Sequence, residues 1–307
     1  MTDRLNLTDT LTTMQVWMNG SLVPAEEARV SVFDRGFLFG EGVYESVRVC
    51  GGQAPFLPRH EARLARSLSA IGLDAELATR LPVAVEALLE REALAEGNVY
   101  LQITRGGTVG ARRHVPDADA APTIFAFAMA APPLGESPAA IRAITRADER
   151  WHRCDIKSTN LLGNVLALAA ADDDDAEEAI LVRNGFVSEG AYTNVFARVG
   201  DEFFTPPIDG EPSILGGVTR DMLIELLRAD GRVRVNEASI AATRLREAEE
   251  ILVTSSRRMA SAVTVLDGRP VGDGHIGPVA RRCFDLLRRA ITGSPAIPPT
   301  SPVGTSA

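Results

Sequence analysis

The sequence predicts an α+β protein. Apolar runs of strand length dominate, and the few segments with helical spacing do not alternate regularly with them, which argues against a doubly wound α/β sheet. The 307 residues suit two domains, or one large one, with an ample buried core. Charged residues make up 24% and hydrophobic residues 45%, a balance typical of globular proteins.

The first part of the chain is predicted to combine antiparallel strands with two helices. Asn19-Gly20 stands between two short apolar runs and favours a hairpin, because this pair accepts positive φ. Residues 42–49 alternate like a strand, while 58–70 and 82–94 are predicted helices, the second with proline in its first turn. Two further predicted strands are 98–105 and 123–130.

The second part of the chain is richer in strands. The predicted helices are 161–171, 219–228 and 278–291. The predicted strands are 141–145, 178–184, 193–199, 202–206, 232–237, 249–255 and 261–267.

These patterns divide the chain into five predicted regions. A polar tail (1–13) precedes a small α+β domain (14–131), and a proline-rich linker (132–138) leads to a larger α+β domain (139–292). The tail 293–307 is rich in Pro, Ser and Gly. Both tails are predicted to be disordered.

Charge and cysteine content exclude several classes of protein. The net charge of -9 argues against nucleic-acid binding, which usually needs a basic face. Cys50, Cys154 and Cys283 lie far apart without a Cys-x-x-Cys pair, so neither a metal site nor a disulfide is predicted. No signal peptide and no membrane-spanning run is predicted. We therefore expect a cytoplasmic protein with reduced thiols.

Two residues are candidates for covalent and acid–base chemistry. Lys157, in WHRCDIKSTNLLGNVLA, stands between a strand-like run and a leucine-rich helix. An imine-forming lysine must be held rigidly and be partly desolvated, so that its amine is neutral. Glu189 precedes a glycine and a small polar stretch. Taken alone, each residue also fits an ordinary surface or turn position.

Several other segments are suited to anions. The glycines before Thr219 lead into a helix whose free N–H groups favour phosphate, and Arg63 can clamp phosphate in bidentate fashion. In TRGGTVGARRHVP, Arg112, Arg113 and His114 form a basic loop that can grip a carboxylate. Surface and turn roles remain open for all of them. Further candidates in the same segments are Leu215, Val218, Ser255 and Ser256.

Six motifs, taken in order, resemble one known family. They are DRGFLFGEGVYE, TRG…RRH, RWHRCDIKS-NLLGNVLA, SEG…TNVF, ILGGVTRD and VTSS. Together they resemble the fold-type IV pyridoxal phosphate (PLP) enzymes, and within these the D-amino-acid aminotransferases. The likeness extends over about 16–291, and its most specific part surrounds Lys157.

The resemblance implies two α+β domains with PLP between them, in a homodimer. It implies that Lys157 carries PLP as a Schiff base, that Glu189 pairs with the pyridine nitrogen, and that Tyr44 faces the substrate. It implies that Arg112 and His114, supplied by the neighbouring subunit, grip the substrate carboxylate. The implied contacts to the cofactor and its phosphate are Arg63, Leu215, Val218, Thr219, Ser255 and Ser256. The expected reaction is transamination between D-alanine or D-glutamate and 2-oxoglutarate or pyruvate.

Three departures from the family pattern leave alternatives open. The loop before Arg112 is about two residues longer than in the family, 191–193 replaces a serine-rich run, and Ser46 stands where an apolar residue is expected. The alternatives within the fold are a branched-chain L-amino-acid aminotransferase, an (R)-amine transaminase and an aminodeoxychorismate lyase. Arg112 and His114 argue against these. A PLP carrier without turnover is the non-enzyme alternative.

Overall fold

The structure, a computed structural model, describes residues 14–117 and 120–293. The two predicted tails lie outside these ranges, except for Gly293, which ends the last helix in a left-handed conformation. Within the described residues, no helix is both long and apolar enough to cross a bilayer.

The first sheet is antiparallel throughout, in the order β2-β1-β5-β4-β3. The predicted hairpin is present, with φ of 49° at Asn19 and 103° at Gly20. The strands of this sheet are β1 (Gln15–Met18), β2 (Ser21–Pro24), β3 (Gly42–Val49), β4 (Gly97–Thr104) and β5 (Thr123–Ala130).

Three α-helices accompany this sheet: α1 (Arg35–Phe39), α2 (Leu57–Ala70) and α3 (Arg80–Glu92). The second buries Leu64 and Leu68 in a core shared with the sheet. This packing follows from apolar residues spaced four apart on one helix face. The short α1 and a 3₁₀ turn at Ala75–Thr79 were not predicted.

The second sheet is larger and mixed, in the order β11-β10-β9-β12-β13-β6-β7-β8, with β14 paired to β13. Strand β6 runs parallel to both its neighbours, and β10 runs parallel to β11. Its strands are β6 (Ala139–Ala147), β7 (Glu178–Arg183), β8 (Phe186–Gly190), β9 (Asn194–Val199), β10 (Glu202–Thr205), β11 (Arg234–Glu237), β12 (Glu250–Ser255), β13 (Met259–Leu266) and β14 (Arg269–Pro270). The helices of this part are α4 (Leu162–Asp173), α5 (Val218–Asp230), α6 (Ala242–Leu245) and α7 (Pro278–Thr292).

The predicted α+β class is confirmed. Each long predicted helix begins and ends within two residues of the observed helix. Strand β8, which carries Glu189, was not predicted. The segment 132–138 connects the last strand of the first sheet to the first strand of the second. The division into two domains at this segment stays a prediction.

Candidate active site

The loop between β6 and α4 carries Lys157 to the first sheet. Ile156 is buried in the core of that sheet, and Ser158 forms an antiparallel bridge with Val43. The Lys157 carbonyl accepts the N–H of Tyr44 at 3.0 Å. Backbone contacts therefore fix this loop where the two sheets meet, as an imine-forming lysine requires.

The Lys157 amine is the only side-chain amine in the chain. All other basic residues among the 32 Lys and Arg are arginines. Its Nζ lies 4.3 Å from the centre of the Tyr44 ring. Because an arginine side chain does not form the required imine, any such chemistry on a side chain of this protein must use Lys157. The lysine content of the sequence alone therefore leaves Lys157 as the one side chain that can form an imine.

Tyr44 faces the same space as Lys157. It lies on β3, and its ring stacks on Tyr100 with centroids 5.4 Å apart. Tyr44 and Lys157 line two adjoining cavities, which also share Tyr192, Asn194 and Leu215.

Glu189 lies in the first of these cavities, where it is only 5% exposed and its carboxylate is held by three donors. Arg150 donates to Oε1 at 2.7 Å, and Oε2 accepts Asn194 Nδ2 at 3.2 Å and the Leu215 N–H at 3.1 Å. Burial raises the pKa of Glu189 above its ordinary value, and the Arg150 guanidinium opposes this rise. A carboxylate fixed in this way can hold a proton on a ring nitrogen placed against it.

A buried ion-pair network orients Arg150 toward Glu189. Asp148 accepts Arg150 Nε at 2.9 Å and Arg150 Nη2 at 3.0 Å, and it also pairs with Arg183 at 3.0 Å. Burial raises the pKa of Asp148, but the hydrogen bonds from Arg150 and Ser188 and the charges of Arg150 and Arg183 outweigh burial and hold the pKa below its usual range. Sequence reasoning missed Asp148 and Arg150. Their only signal was the charged stretch just before Lys157.

The second cavity, of about 190 Å³, is suited to a phosphate. It is lined by Arg63, by Val218 and Thr219 in the first turn of α5, and by Ser255 and Ser256 at the end of β12. The helix begins at Val218 with Gly217 as its N-cap, so Thr219 lies inside the helix rather than capping it. Among the described residues no side chain caps this helix, so its first N–H groups have no side-chain acceptor there.

Gly217, in the second cavity, lies against Asn194, which lines both cavities. A Cβ at this position would lie 1.9 Å from Asn194 Oδ1, so only glycine permits the approach. Asn194 in turn donates to Glu189 and to the Leu215 carbonyl, at 2.9 Å for the latter. The start of α5 and the Glu189 carboxylate are therefore held at a fixed spacing.

Arg63 is buried and anchored by Glu45, which sequence reasoning also missed. Nε and Nη2 of Arg63 donate to the two oxygens of Glu45 at 2.8 and 2.7 Å, and Nη1 donates to the Gly216 carbonyl at 3.1 Å. His60 contacts the same carboxylate at 2.7 Å. Burial raises the pKa of Glu45, but Arg63 outweighs it and holds the pKa well below its usual range. The three bonds named leave two of the five guanidinium N–H groups for a ligand.

Arg112 and His114 do not line either cavity of their own protomer. Both lie against Phe39, with Arg112 Cζ 5.1 Å and the His114 ring 5.7 Å from the ring centre. Arg113, between them, turns away and pairs with Asp117 at 3.1 Å. The expected carboxylate grip is therefore not assembled within one chain.

The residues at the two cavities fit PLP. The buried Thr254 Oγ1, in the second cavity, has no hydrogen-bond partner among the described residues, although a buried hydroxyl normally has one. A phosphate oxygen would satisfy it. Glu189 would face the pyridine nitrogen at the opposite end, and Lys157 lies where the cavities join. Thr254 was not among the predicted contacts.

Comparisons with known proteins agree with this fit. The amino-transferase class IV family matches residues 42–266, and the chain belongs to this family of PLP-dependent aminotransferases. Two relatives, both D-alanine aminotransferases, come from Bacillus licheniformis (35% identical, covering 92% of this chain and 99% of the relative) and Staphylococcus haemolyticus (38%, covering 90% and 98%).

A solved structure with the same fold is the branched-chain amino acid aminotransferase from Escherichia coli. Its TM-score is 0.78 at 26% identity, and the match covers 92% of this chain and 95% of that one. The predicted family and its fold type are thereby confirmed.

Proposed function

We propose that this protein transfers the amino group of a D-amino acid to a 2-oxo acid, with PLP bound covalently to Lys157. The observation that carries the proposal is the chain's only lysine, located where the cavity of Glu189 adjoins the cavity of Arg63 and Thr254. The two relatives named as D-alanine aminotransferases support the choice of D-amino acids, D-alanine and D-glutamate first among them.

When bound, PLP supplies an electron-accepting ring that stabilises negative charge at the substrate Cα. Glu189 holds a proton at the ring nitrogen, and Arg150 and Asn194 keep its carboxylate in place. Once the substrate amine has displaced it from the cofactor, Lys157 Nζ would take the proton from the substrate Cα as a general base and would deliver it, as a general acid, to the cofactor carbon rather than back to Cα. Contact with the Tyr44 ring restricts that amine to one side of the cavity.

The phosphate end provides binding rather than chemistry. Arg63, pre-oriented by Glu45, and the first turn of α5 would hold the phosphate, with Thr254, Ser255 and Ser256 adding hydroxyl donors. The affinity for PLP then depends on a buried framework that exists before the cofactor arrives.

We propose that the active unit is a homodimer in which a second copy supplies Arg112 and His114. Both residues are exposed and lie outside their own protomer's cavities. Helix α4, which follows Lys157, also exposes apolar side chains at Leu162, Val165 and Leu166, with 71%, 55% and 61% of their surface accessible. Neighbouring apolar side chains exposed on one helix face are typical of an interface.

Mixed dimers test this arrangement. Lys157→Ala and Arg112→Ala chains are each expected to have little activity toward D-alanine alone. If Arg112 acts across the dimer, co-refolded chains regain one working site per mixed dimer, because the intact lysine meets the intact arginine of its partner. Absence of recovery in mixed dimers isolated by two affinity tags would refute the exchange.

We also propose that the protein works in the cytoplasm. Its three cysteines are free and buried, which suits a reducing compartment. Cell fractionation with an antibody against the native protein tests this, and recovery outside the cytoplasmic fraction contradicts it.

Two experiments test the proposed reaction. Borohydride reduction of the PLP-bound protein should give one modified side chain, at Lys157, because no other lysine exists. An adduct found only on the terminal amine would refute the assignment. A spectrophotometric half-reaction screen should give faster bleaching of the bound cofactor with D-alanine than with L-leucine or (R)-1-phenylethylamine.

The second candidate is a branched-chain L-amino-acid aminotransferase, favoured by the fold match to such an enzyme. A higher rate with L-leucine than with D-alanine in the same screen would select it. A preference for (R)-1-phenylethylamine would indicate an amine transaminase. Bleaching by none of these amines, with PLP retained, would indicate a lyase or a carrier.

A further inference from the structure

Arg35, outside both cavities, holds the loop that carries Arg112 and His114. We propose that Arg35 is a positioning residue for substrate recognition: it closes the loop 106–114 at both ends, so that Arg112 and His114 project together. This inference rests on the proposed function, in which these two residues bind the substrate carboxylate.

The contacts of Arg35 reach both ends of this loop. Its backbone N–H donates to the Gly106 carbonyl at 2.7 Å, where the loop begins. Its Nη1 and Nη2 donate to the carbonyls of Arg113 and His114 at 2.5 and 2.8 Å. The planar guanidinium can bridge two successive carbonyls, which the single ammonium of lysine cannot do with the same geometry.

The charge of Arg35 is compensated where it is buried. Arg35 is 8% exposed, and its Nε donates to Glu41 Oε2 at 2.5 Å. The other oxygen of Glu41 pairs with Arg105. One carboxylate therefore anchors two arginines. Arg35 also binds carbonyls of the loop 106–114, whereas Arg105 donates to the carbonyls of Ile71 and Gly72, which lie outside the loop.

Phe39 sets the direction of the loop's side chains. Arg35 Cζ lies 4.7 Å from the ring centre, and Arg112 and His114 also lie against this ring. Arg113 points to Asp117 instead, so alternate residues of 112–114 lie on opposite sides. Arg35 fixes the carbonyls of Arg113 and His114. The side chains of Arg112 and His114 therefore project together from the Phe39 side of the loop, while the side chain of Arg113 lies on the other side.

A matched pair of variants tests the inference. Arg35→Met and Arg105→Met each remove one cation from Glu41 at similar burial, with 10% and 14% of the side chain exposed, but only the first frees the loop. We expect Arg35→Met to raise KM for D-alanine about ten-fold, from the loss of two charge-assisted hydrogen bonds, with kcat nearly unchanged. The KM for D-alaninol, which lacks the carboxylate, should not change. Arg105→Met should leave the KM for D-alanine as in the wild type.

A second measurement separates this inference from the proposed function. Hydrogen exchange of the amides in 107–117 should accelerate in Arg35→Met but not in Arg105→Met. If exchange accelerates while Arg112→Ala leaves KM unchanged, the loop is held as inferred and the carboxylate grip is wrong.

Arg35→Lys keeps the charge beside Glu41 and provides a variant that folds if Arg35→Met does not. It should raise KM for D-alanine by a smaller factor. Two results would overturn the positioning role. One is unchanged hydrogen exchange and unchanged KM in both Arg35 variants; the other is an equal rise in KM for D-alanine and for D-alaninol.

Discussion

Replacing Glu189 with glutamine removes one buried negative charge with little change in shape. The glutamine oxygen can still accept the N–H groups of Asn194 and Leu215. Arg150 loses its bond to Glu189 but keeps two bonds to Asp148, so its guanidinium is not left unpaired. We therefore expect the variant to fold and to retain PLP.

The expected effect is on the rate of proton transfer. Glutamine cannot stabilise a protonated ring nitrogen as a carboxylate does, because the charge-assisted hydrogen bond is lost. Such a bond contributes about 1.5–3 kcal/mol, which corresponds to a half-reaction slowed roughly ten- to a hundred-fold. Stopped-flow absorbance with D-alanine measures the rate directly, and dialysis measures PLP retention in the same sample.

Glu250→Gln serves as the control. Glu250 is also a buried carboxylate, but it accepts the N–H groups of Val279 and Ala280 in the first turn of α7. This variant should lose some stability and none of the half-reaction rate. An unchanged rate in Glu189→Gln, with PLP retained, would refute the role of Glu189.

Three further variants have measurable outcomes. Arg63→Ala should lose PLP on dialysis far faster than Arg66→Ala, since Arg66 is an exposed neighbour of Arg63 on α2; equal loss of PLP in the two variants would mean that Arg63 does not hold the phosphate. Arg112→Ala should raise KM for D-alanine strongly and Arg113→Ala weakly, because of the two only Arg112 lies on Phe39. The reverse order would mean that in the dimer the loop directs Arg113, and not Arg112, toward the substrate. Burial raises the pKa of Glu178 from 4.5 to about 7, so its contribution to stability falls as pH rises through that range. Glu178→Gln should therefore be more stable to unfolding than the wild type at pH 8, by up to about 3 kcal/mol, with little difference at pH 4.5; equal melting curves at pH 8 would contradict this.

Local sequence determined the long helices, the first hairpin and most strands. Asn19-Gly20 forms the predicted turn because positive φ is a local property of these two residues. Helix α2 follows from the spacing of Leu64 and Leu68, which places both on one face. Strand β8 was missed because Glu189 and Gly190 do not alternate as strand residues usually do; pairing with β7 makes it a strand.

The sequence also specified the chemical groups of the site. One lysine among 307 residues leaves no second side chain that can form an imine, whatever the fold. The order of the motifs around Lys157, Glu189 and Thr219 predicted the family and its cofactor. None of this required knowledge of which residues touch.

Only the tertiary structure decided the partners of these groups. Glu45 orients Arg63, Arg150 faces Glu189, and Arg35 holds the carbonyls of the loop 106–114, across 18, 39 and 78 positions of sequence separation. Hydrogen bonds between residues so far apart depend on how sheets and loops pack, and a local pattern carries no information about that packing. A buried charge requires a partner, but its position in the chain does not say which residue the fold will bring to it.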